Sequence, residues 1–204
     1  MQTVRLLAGM LVWLALAPGL ARAQDAAADT VRRAIHVCAA CHGEGGRSVK
    51  QSIPSLAAQQ RQYTVTQLKD FRAQIRAETS AKAYMWGMSA LLDDATIDGL
   101  ATYYAAQAPA RGHSAPGAQL RLGRKIFTDG IPGRGVTACA SCHGDGGEGT
   151  GEFPRLAGQR AEYVVAQLKI FRTWLRPHAS DMKTQARAMS AAESRAVAAY
   201  VQSL

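Results

Sequence analysis

The sequence lacks the features that mark several common classes of protein. No run of lysine and arginine is longer than two residues, so the basic composition does not indicate a nucleic-acid-binding segment. No segment alternates polar and apolar residues as a strand does, and there is no phosphate-binding loop. The apolar run near the N-terminus, residues 6–17, is shorter than the roughly 20 residues that span a membrane. The chemistry of this chain must therefore come from another pattern.

The N-terminus has the pattern of an export signal. Arg5 precedes the apolar run, and residues 21–23 supply the small-x-small pattern at which a signal peptidase cleaves. We predict that residues 1–23 are a cleaved signal peptide and that the mature chain begins at Gln24. The mature chain then has 181 residues and a formal net charge of +7.

The mature chain consists of one unit that occurs twice. Segments of the first half recur about 100 residues later, in the same order. We predict two homologous domains, residues 24–106 and 118–204. They are joined by a linker, residues 107–117, that is rich in proline, glycine and alanine and contains a solvated His113. The matched segments are residues 38–46 with 139–147, 54–57 with 154–157, 67–72 with 167–172, and 100–103 with 197–200.

The local patterns in both halves are helical, and we predict an all-α fold. Apolar residues recur at the spacing of one helix face in each half. Ser190 and Glu193 form a capping box that predicts where the last helix begins. The apolar stripes are Leu68, Phe71 and Ile75, their counterparts Leu168, Phe171 and Leu175, and the set Ile97, Leu100, Ala101 and Tyr104.

Each half contains one Cys-x-x-Cys-His motif, the attachment signature of c-type haem. Two thiols at this spacing can bond to the two vinyl groups of one porphyrin, and the histidine that follows can ligate the iron. A four-cysteine zinc site or a thioredoxin-like redox pair would leave the repeated histidine unexplained. We therefore predict two covalently bound haem c groups. The motif residues are Cys38, Cys41 and His42 in the first half and Cys139, Cys142 and His143 in the second.

Methionine is the usual second axial ligand of electron-carrying cytochromes c. Alignment of the two halves pairs Met85 with Met182, and we predict that these two residues ligate the irons. Met88 and Met189 have no methionine counterpart and are predicted to pack in the core. His178 is a rival ligand for the second iron, but it has no counterpart in the first half.

A proline follows each motif histidine at a similar distance. Pro54 and Pro154 lie 12 and 11 residues after their histidines, and each could offer its carbonyl oxygen to the second ring nitrogen. Alternatively, both are ordinary loop prolines. Four further side chains could reach the haem propionates, or have core or surface roles instead: Tyr63, Tyr163, Gln59 and Gln159.

The order of these segments resembles the dihaem cytochrome c4 family over essentially the whole mature chain. The resemblance implies a class I cytochrome c fold in each domain, with the haems near the domain interface and their propionate edges facing. It also implies the ligand pairs His42–Met85 and His143–Met182. One departure is Ala58, where the second half has Gly158. The family function implied is that of a periplasmic electron shuttle, associated with the inner membrane, between a quinol-oxidising complex and a terminal oxidase.

With histidine and methionine on the iron, no coordination position is open to a substrate. We therefore expect outer-sphere electron transfer, with no catalytic residues, no small-molecule substrate and no nucleic-acid partner. One alternative is the dihaem electron-accepting subunit of a periplasmic dehydrogenase, such as flavocytochrome c sulfide dehydrogenase. Another is an enzyme that acts at its own haem, which predicts carbon monoxide binding by the reduced protein.

Overall fold

The computed structural model describes residues 17–204, with side chains described from residue 25. Most of the predicted signal peptide, residues 1–23, therefore lies outside the described residues. The helices are α1 (Ala17–His42), α2 (Arg61–Arg72), α3 (Trp86–Ser89), α4 (Asp94–Ala105), α5 (Gly117–Asp129), α6 (Ala140–His143), α7 (Ala161–Phe171), α8 (Ser180–Ala188) and α9 (Ala191–Ser203). A π-helical turn, Ala81–Met85, leads directly into α3.

The predicted all-α class is confirmed. Within residues 17–204 the only extended pairings are two isolated bridges, Ile131 with Val136 and Thr150 with Phe153. In this part of the chain, no helix is both long enough and apolar enough to cross a bilayer. The segment between the halves, residues 108–116, has no helix, and His113 is exposed within it.

Each half brings its first long helix against its last one, and a glycine allows the close approach. A Cβ on Gly99 of α4 would lie 2.5 Å from the Val31 side chain of α1. In the second half the glycine is on the other helix, since a Cβ on Gly123 of α5 would lie 2.1 Å from the Ala196 carbonyl oxygen of α9. Both helix crossings therefore depend on a missing side chain.

The last helix of each half begins at a side-chain cap. The predicted capping box is present, because the Ser190 hydroxyl accepts from the Glu193 N–H and the Glu193 carboxylate accepts from the Ser190 N–H. In the first half Asp93 performs the same role for α4 by accepting from the Thr96 N–H at 2.7 Å. These caps satisfy backbone donors that a helix start leaves unpaired.

The apolar stripes predicted along α2 and α7 extend beyond the helices. Helix α2 ends at Arg72, so Ile75 lies outside it, and Gln74 has a left-handed φ of 59° that breaks the helix. Helix α7 ends at Phe171, and Leu175 is exposed. The prediction that these residues continue a helix face was therefore wrong at its last position in both halves. The stripe on α4 is confirmed, with all its members buried.

The second half has a continuous apolar core in which α5, α7, α8 and α9 meet. Phe127 is fully buried at its centre and packs against Tyr200, with ring centroids 5.4 Å apart. Met189 belongs to this core, as predicted. Met88 was predicted to be a core residue and is not, because it lies on the outer face of α3 with 56% of its surface exposed.

Candidate haem sites

Both motif histidines are buried and are held by a proline carbonyl group. Nδ1 of His42 donates to the Pro54 carbonyl oxygen at 2.9 Å, and Nδ1 of His143 donates to that of Pro154 at 2.9 Å. A carbonyl oxygen can only accept, so the proton must sit on Nδ1 and Nε2 is left to ligate a metal. Burial lowers the pKa of both histidines, which keeps the rings neutral as ligation requires.

The proline segment is itself held by a glycine that lies four residues after the motif histidine. The Gly46 carbonyl oxygen accepts from the Leu56 N–H at 2.7 Å and from the Ala57 N–H at 3.1 Å. The Gly147 carbonyl oxygen accepts in the same way from residues 156 and 157, at 2.7 and 2.9 Å. Gly46 has a φ of 77°, and a Cβ there would contact the Tyr104 ring at 2.8 Å. The repeated glycines therefore hold the carbonyl group that orients each histidine.

The four cysteines are free thiols placed at the surface of the two halves. Cys41 and Cys142 are exposed, while Cys38 and Cys139 are half-buried. As thiols, before a bond to haem forms, both inner cysteines have a pKa that burial raises, that of Cys139 to about 11. Among the described residues no three histidine, cysteine or acidic side chains converge on one point, which argues against a four-cysteine zinc site.

The candidate methionines lie on different kinds of helix. Met85 is the last residue of the π-helical turn before α3 and is half-buried. Met182 lies in α8, half-buried against the core of the second half. The rival ligand His178 is turned toward the other half, with Nδ1 2.9 Å from the Asp70 carboxylate, and its side chain is 56% exposed.

A model of the cytochrome c family matches this chain twice, at residues 27–106 and 120–204. Cytochrome c-552 of Acidithiobacillus ferridurans is 38% identical over 94% of this chain and 84% of its own length. Cytochrome c4 of Azotobacter vinelandii is 34% identical over 91% of this chain and 92% of its own. The chain belongs to the cytochrome c4 family.

Three further similarities concern the electron acceptor of an enzyme and two solved structures. The thiosulfate dehydrogenase electron acceptor of Thiomonas intermedia is 36% identical over 95% of this cytochrome and 86% of its own length. The cytochrome c4 structure of Acidithiobacillus ferrooxidans superposes with a TM-score of 0.76, at 38% identity, covering 82% of this cytochrome and 98% of that chain. A thiosulfate dehydrogenase of Marichromatium purpuratum gives a TM-score of 0.72 at 34% identity, covering 82% of this cytochrome and 36% of that chain.

This cytochrome is thus an electron-transfer protein with two tandem cytochrome c domains and two haem c cofactors. The residues present fit that cofactor. Each domain offers two unpaired thiols at the attachment spacing, and beside them a neutral, buried imidazole whose Nδ1 is already engaged. That donor set suits one iron and one pair of vinyl groups in each domain.

The domains of this cytochrome are joined by two glutamines in a reciprocal arrangement. Gln159 accepts from the Ser55 N–H at 2.8 Å and donates to the Ser55 carbonyl oxygen at 3.0 Å. Gln59 accepts from the Arg155 N–H at 2.7 Å and donates to the Arg155 carbonyl oxygen at 3.1 Å. Both glutamines are buried. Of the roles considered from the sequence, the structure shows a buried one, because both amides form hydrogen bonds across the domain boundary.

A second polar cluster, buried between the domains, was not found from the sequence. Arg76 contacts Glu78 at 2.6 Å and also donates to Gln67 and Gln167. Its counterpart Arg176 donates to the same two glutamines, at 2.7 and 2.6 Å. The two tyrosines considered for the propionates complete the cluster, Tyr163 with Arg76 and Tyr63 with Arg176.

The signal that could have revealed this cluster is the repeat itself. Its arginines and glutamines, like the reciprocal pair Gln59 and Gln159, recur at an offset of 100 residues. Glu78 breaks the symmetry, because the equivalent position of the second domain is His178. Repeated polar residues that are buried in both copies of a domain indicate a shared interface.

Proposed function

We propose that this cytochrome is a periplasmic electron shuttle that passes electrons from a quinol-oxidising complex to a terminal oxidase. The observation that carries the proposal is the duplicated site, in which a buried neutral histidine with an engaged Nδ1 lies beside two free thiols. The proposed attachment residues are Cys38 and Cys41 in one domain, and Cys139 and Cys142 in the other. The proposed iron ligands are His42 with Met85, and His143 with Met182.

In this scheme the haem supplies reversible one-electron chemistry, and the protein sets its surroundings. His42 keeps its proton on Nδ1, where the Pro54 carbonyl oxygen holds it, so the ring cannot rotate or change tautomer. Met85 would supply the second protein ligand to the iron from the π-helical turn, a deviation that is frequent at functional sites. With a histidine and a methionine from the chain as ligands, the iron would have no place for a substrate or oxygen, and the thioether would raise its potential.

The proposal includes export. The N-terminal pattern of a positive residue, an apolar run and a small-x-small site supports cleavage after Ala23 and a periplasmic mature protein with domains at 24–106 and 118–204 and a linker at 107–117. N-terminal sequencing of the protein purified from its host tests this directly. A mature N-terminus at Gln24 is expected, and a retained Met1 would contradict export by this route. Fractionation of periplasm and inner membrane tests the proposed association with the membrane surface.

Charge is distributed unevenly between the proposed domains. Residues 118–204 contain 12 lysines and arginines against 7 acidic residues, while residues 24–106 contain 9 against 8. The C-terminal domain is therefore the side on which an acidic redox partner would be attracted. We expect the rate of electron exchange with such a partner to fall as ionic strength rises, because salt screens this attraction.

A second candidate function is that of electron acceptor for a periplasmic dehydrogenase. The observation that favours it is the 36% identity with the thiosulfate dehydrogenase electron acceptor of Thiomonas intermedia. This function needs the same haem sites, so only the electron donor distinguishes the two candidates. The sulfide-oxidising flavoprotein considered from the sequence would be a further donor of the same kind.

Stopped-flow reduction of the oxidised protein separates these candidates. In one experiment the donor is a quinol with the host's quinol-oxidising complex, and in another it is thiosulfate with thiosulfate dehydrogenase. The proposal predicts fast reduction by the first, followed by oxidation by membranes that contain the terminal oxidase. Fast reduction by the dehydrogenase alone would overturn it in favour of the second candidate. Carbon monoxide binding by the native reduced protein would contradict both.

Single methionine variants test the ligands. Met182→Ala should abolish the methionine–iron charge-transfer band of one haem, and Met85→Ala should abolish that of the other, because each removes one thioether. Met88→Ala is the matched control, since Met88 is exposed and lies three residues from Met85. An unchanged spectrum in either ligand variant, or loss of a band in the control, would refute the assignment.

A further inference from the structure

The reciprocal glutamines bind the same peptide groups that hold the motif histidines. The Pro54 carbonyl and the Ser55 N–H belong to a single peptide group. Its oxygen accepts from Nδ1 of His42 at 2.9 Å, and its N–H donates to Oε1 of Gln159 at 2.8 Å. Gln159 belongs to the other domain, so the two domains share one continuous chain of hydrogen bonds.

The opposite site has the same arrangement. The Pro154 carbonyl oxygen accepts from Nδ1 of His143 at 2.9 Å, and the N–H of the same peptide group, that of Arg155, donates to Oε1 of Gln59 at 2.7 Å. Both glutamines are nearly excluded from water, with 7% and 6% of the surface of Gln59 and Gln159 exposed. Hydrogen bonds in such low-dielectric surroundings polarise one another along a chain.

Polarisation of this peptide group has a definite direction. A hydrogen bond from its N–H to a glutamine oxygen increases the negative charge on its carbonyl oxygen. A more negative oxygen accepts more strongly from Nδ1–H of the histidine, and this makes Nε2 a more basic ligand. A more basic ligand stabilises oxidised iron and lowers its potential.

We propose that Gln159 and Gln59 are positioning residues, each of which tunes the axial histidine of the opposite domain through one shared peptide group. The proposal rests on ligation of the irons by His42 and His143. It assigns the glutamines a role beyond joining the domains, since contact between the domains alters the redox centres directly. The two halves of the molecule are thereby coupled electronically at the ligand as well as mechanically.

The test uses the haem-loaded, full-length protein with Gln159→Met, Gln59→Met and the control Gln62→Met. Methionine has nearly the volume of glutamine but cannot accept from the peptide N–H. The control removes a side-chain hydrogen bond between the domains, from Gln62 to Glu152, that touches neither shared peptide group. The readouts are the Nδ1–H resonances of the two histidines in the reduced protein and the potential of each haem. Nuclear Overhauser contacts to residues of each domain assign each Nδ1–H resonance to its histidine.

The expected result is crossed. In Gln159→Met the His42 Nδ1 proton exchanges with water up to about twofold faster, because losing a neighbouring bond weakens a polarised hydrogen bond by roughly 10–30%. The potential of the His42 haem rises, while that of the His143 haem is unchanged. Gln59→Met gives the mirror image, and Gln62→Met gives wild-type values.

Two results would overturn the proposal. If a variant shifts the haem of its own domain, or both haems equally, the glutamine serves only to hold the domains together. If neither histidine responds while the wild-type charge-transfer bands are intact, the hydrogen-bond chain carries no effect. Failure of the ligation itself would be visible in the wild-type spectrum, before any glutamine variant is made.

Discussion

Removal of Arg76 should reveal how much the buried interdomain cluster depends on one charge. Arg76 and Glu78 are 5% and 2% exposed and lie 2.6 Å apart. Arg76→Met leaves the Glu78 carboxylate buried without its counter-ion, and within the described part of the chain its Oε2 already has no hydrogen-bond partner. Breaking a buried ion pair from one side costs about 3–5 kcal/mol, so we expect the free energy of unfolding to fall by that amount.

The second domain offers a matched control for this variant. Arg176 is also buried and makes three hydrogen bonds, all to neutral side chains, namely those of Gln167, Gln67 and Tyr63. Arg176→Met should therefore cost only about 1–3 kcal/mol. The double variant Arg76→Met/Glu78→Met removes the stranded Glu78 carboxylate as well, and part of the stability should return.

Guanidinium unfolding of the haem-loaded proteins, followed by far-ultraviolet circular dichroism, measures these free energies from the midpoint and slope of the transition. An equal loss of stability in Arg176→Met and Arg76→Met would contradict the role given to the unpaired Glu78 carboxylate. A double variant that is no more stable than Arg76→Met alone would contradict the same role. Either result would mean that hydrogen-bond geometry, rather than the unpaired carboxylate, sets the cost.

Three further predictions use the same unfolding assay. Ala58→Gly should stabilise the protein by about 1 kcal/mol, because it relieves a left-handed φ of 56°. Gly158→Ala should destabilise it, because its Cβ would lie 2.5 Å from the Ala110 carbonyl oxygen. Equal changes in the free energy of unfolding of the two variants would contradict this. Phe127→Ala should cost about 3–5 kcal/mol, and a loss below 1 kcal/mol would show that the core collapses around the gap. The hydrogen bond from the Ser190 N–H lowers the pKa of Glu193. The extra stability of the wild type over Glu193→Gln should therefore be complete above about pH 5 and vanish as pH falls through the lowered pKa. A stability difference that does not change with pH would argue against this.

Several features could be predicted from the sequence because their causes are local. The capping box needs only residues three apart, and the orientation of each histidine by a proline carbonyl follows from a repeated spacing. The two haem groups and the all-α class follow from motifs and periodicity of the same short range. Errors arose where local periodicity was extended too far. Ile75 has the spacing of a helix face, yet the left-handed Gln74 ends the helix before it.

Exposure could not be predicted for single residues either. Met88 is apolar, as core residues are, but it lies on the outer face of a short helix. The π-helical turn before that helix sets its orientation. The helix crossings at Gly99 and Gly123 likewise depend on which backbone passes closest, and the two domains place the glycine on different helices. Such choices are decided by packing over the whole domain.

What each half binds follows from the sequence of this protein, because two thiols and a histidine at a fixed spacing, present in both halves, are sufficient for covalent attachment of haem. The tertiary structure alone decided how the halves meet. Gln159 and Ser55 are 104 residues apart, and Arg76 and Gln167 are 91 apart. No local pattern relates such residues, because their contact exists only after two folded domains bury polar side chains against each other, where most buried polar groups need a hydrogen-bond partner.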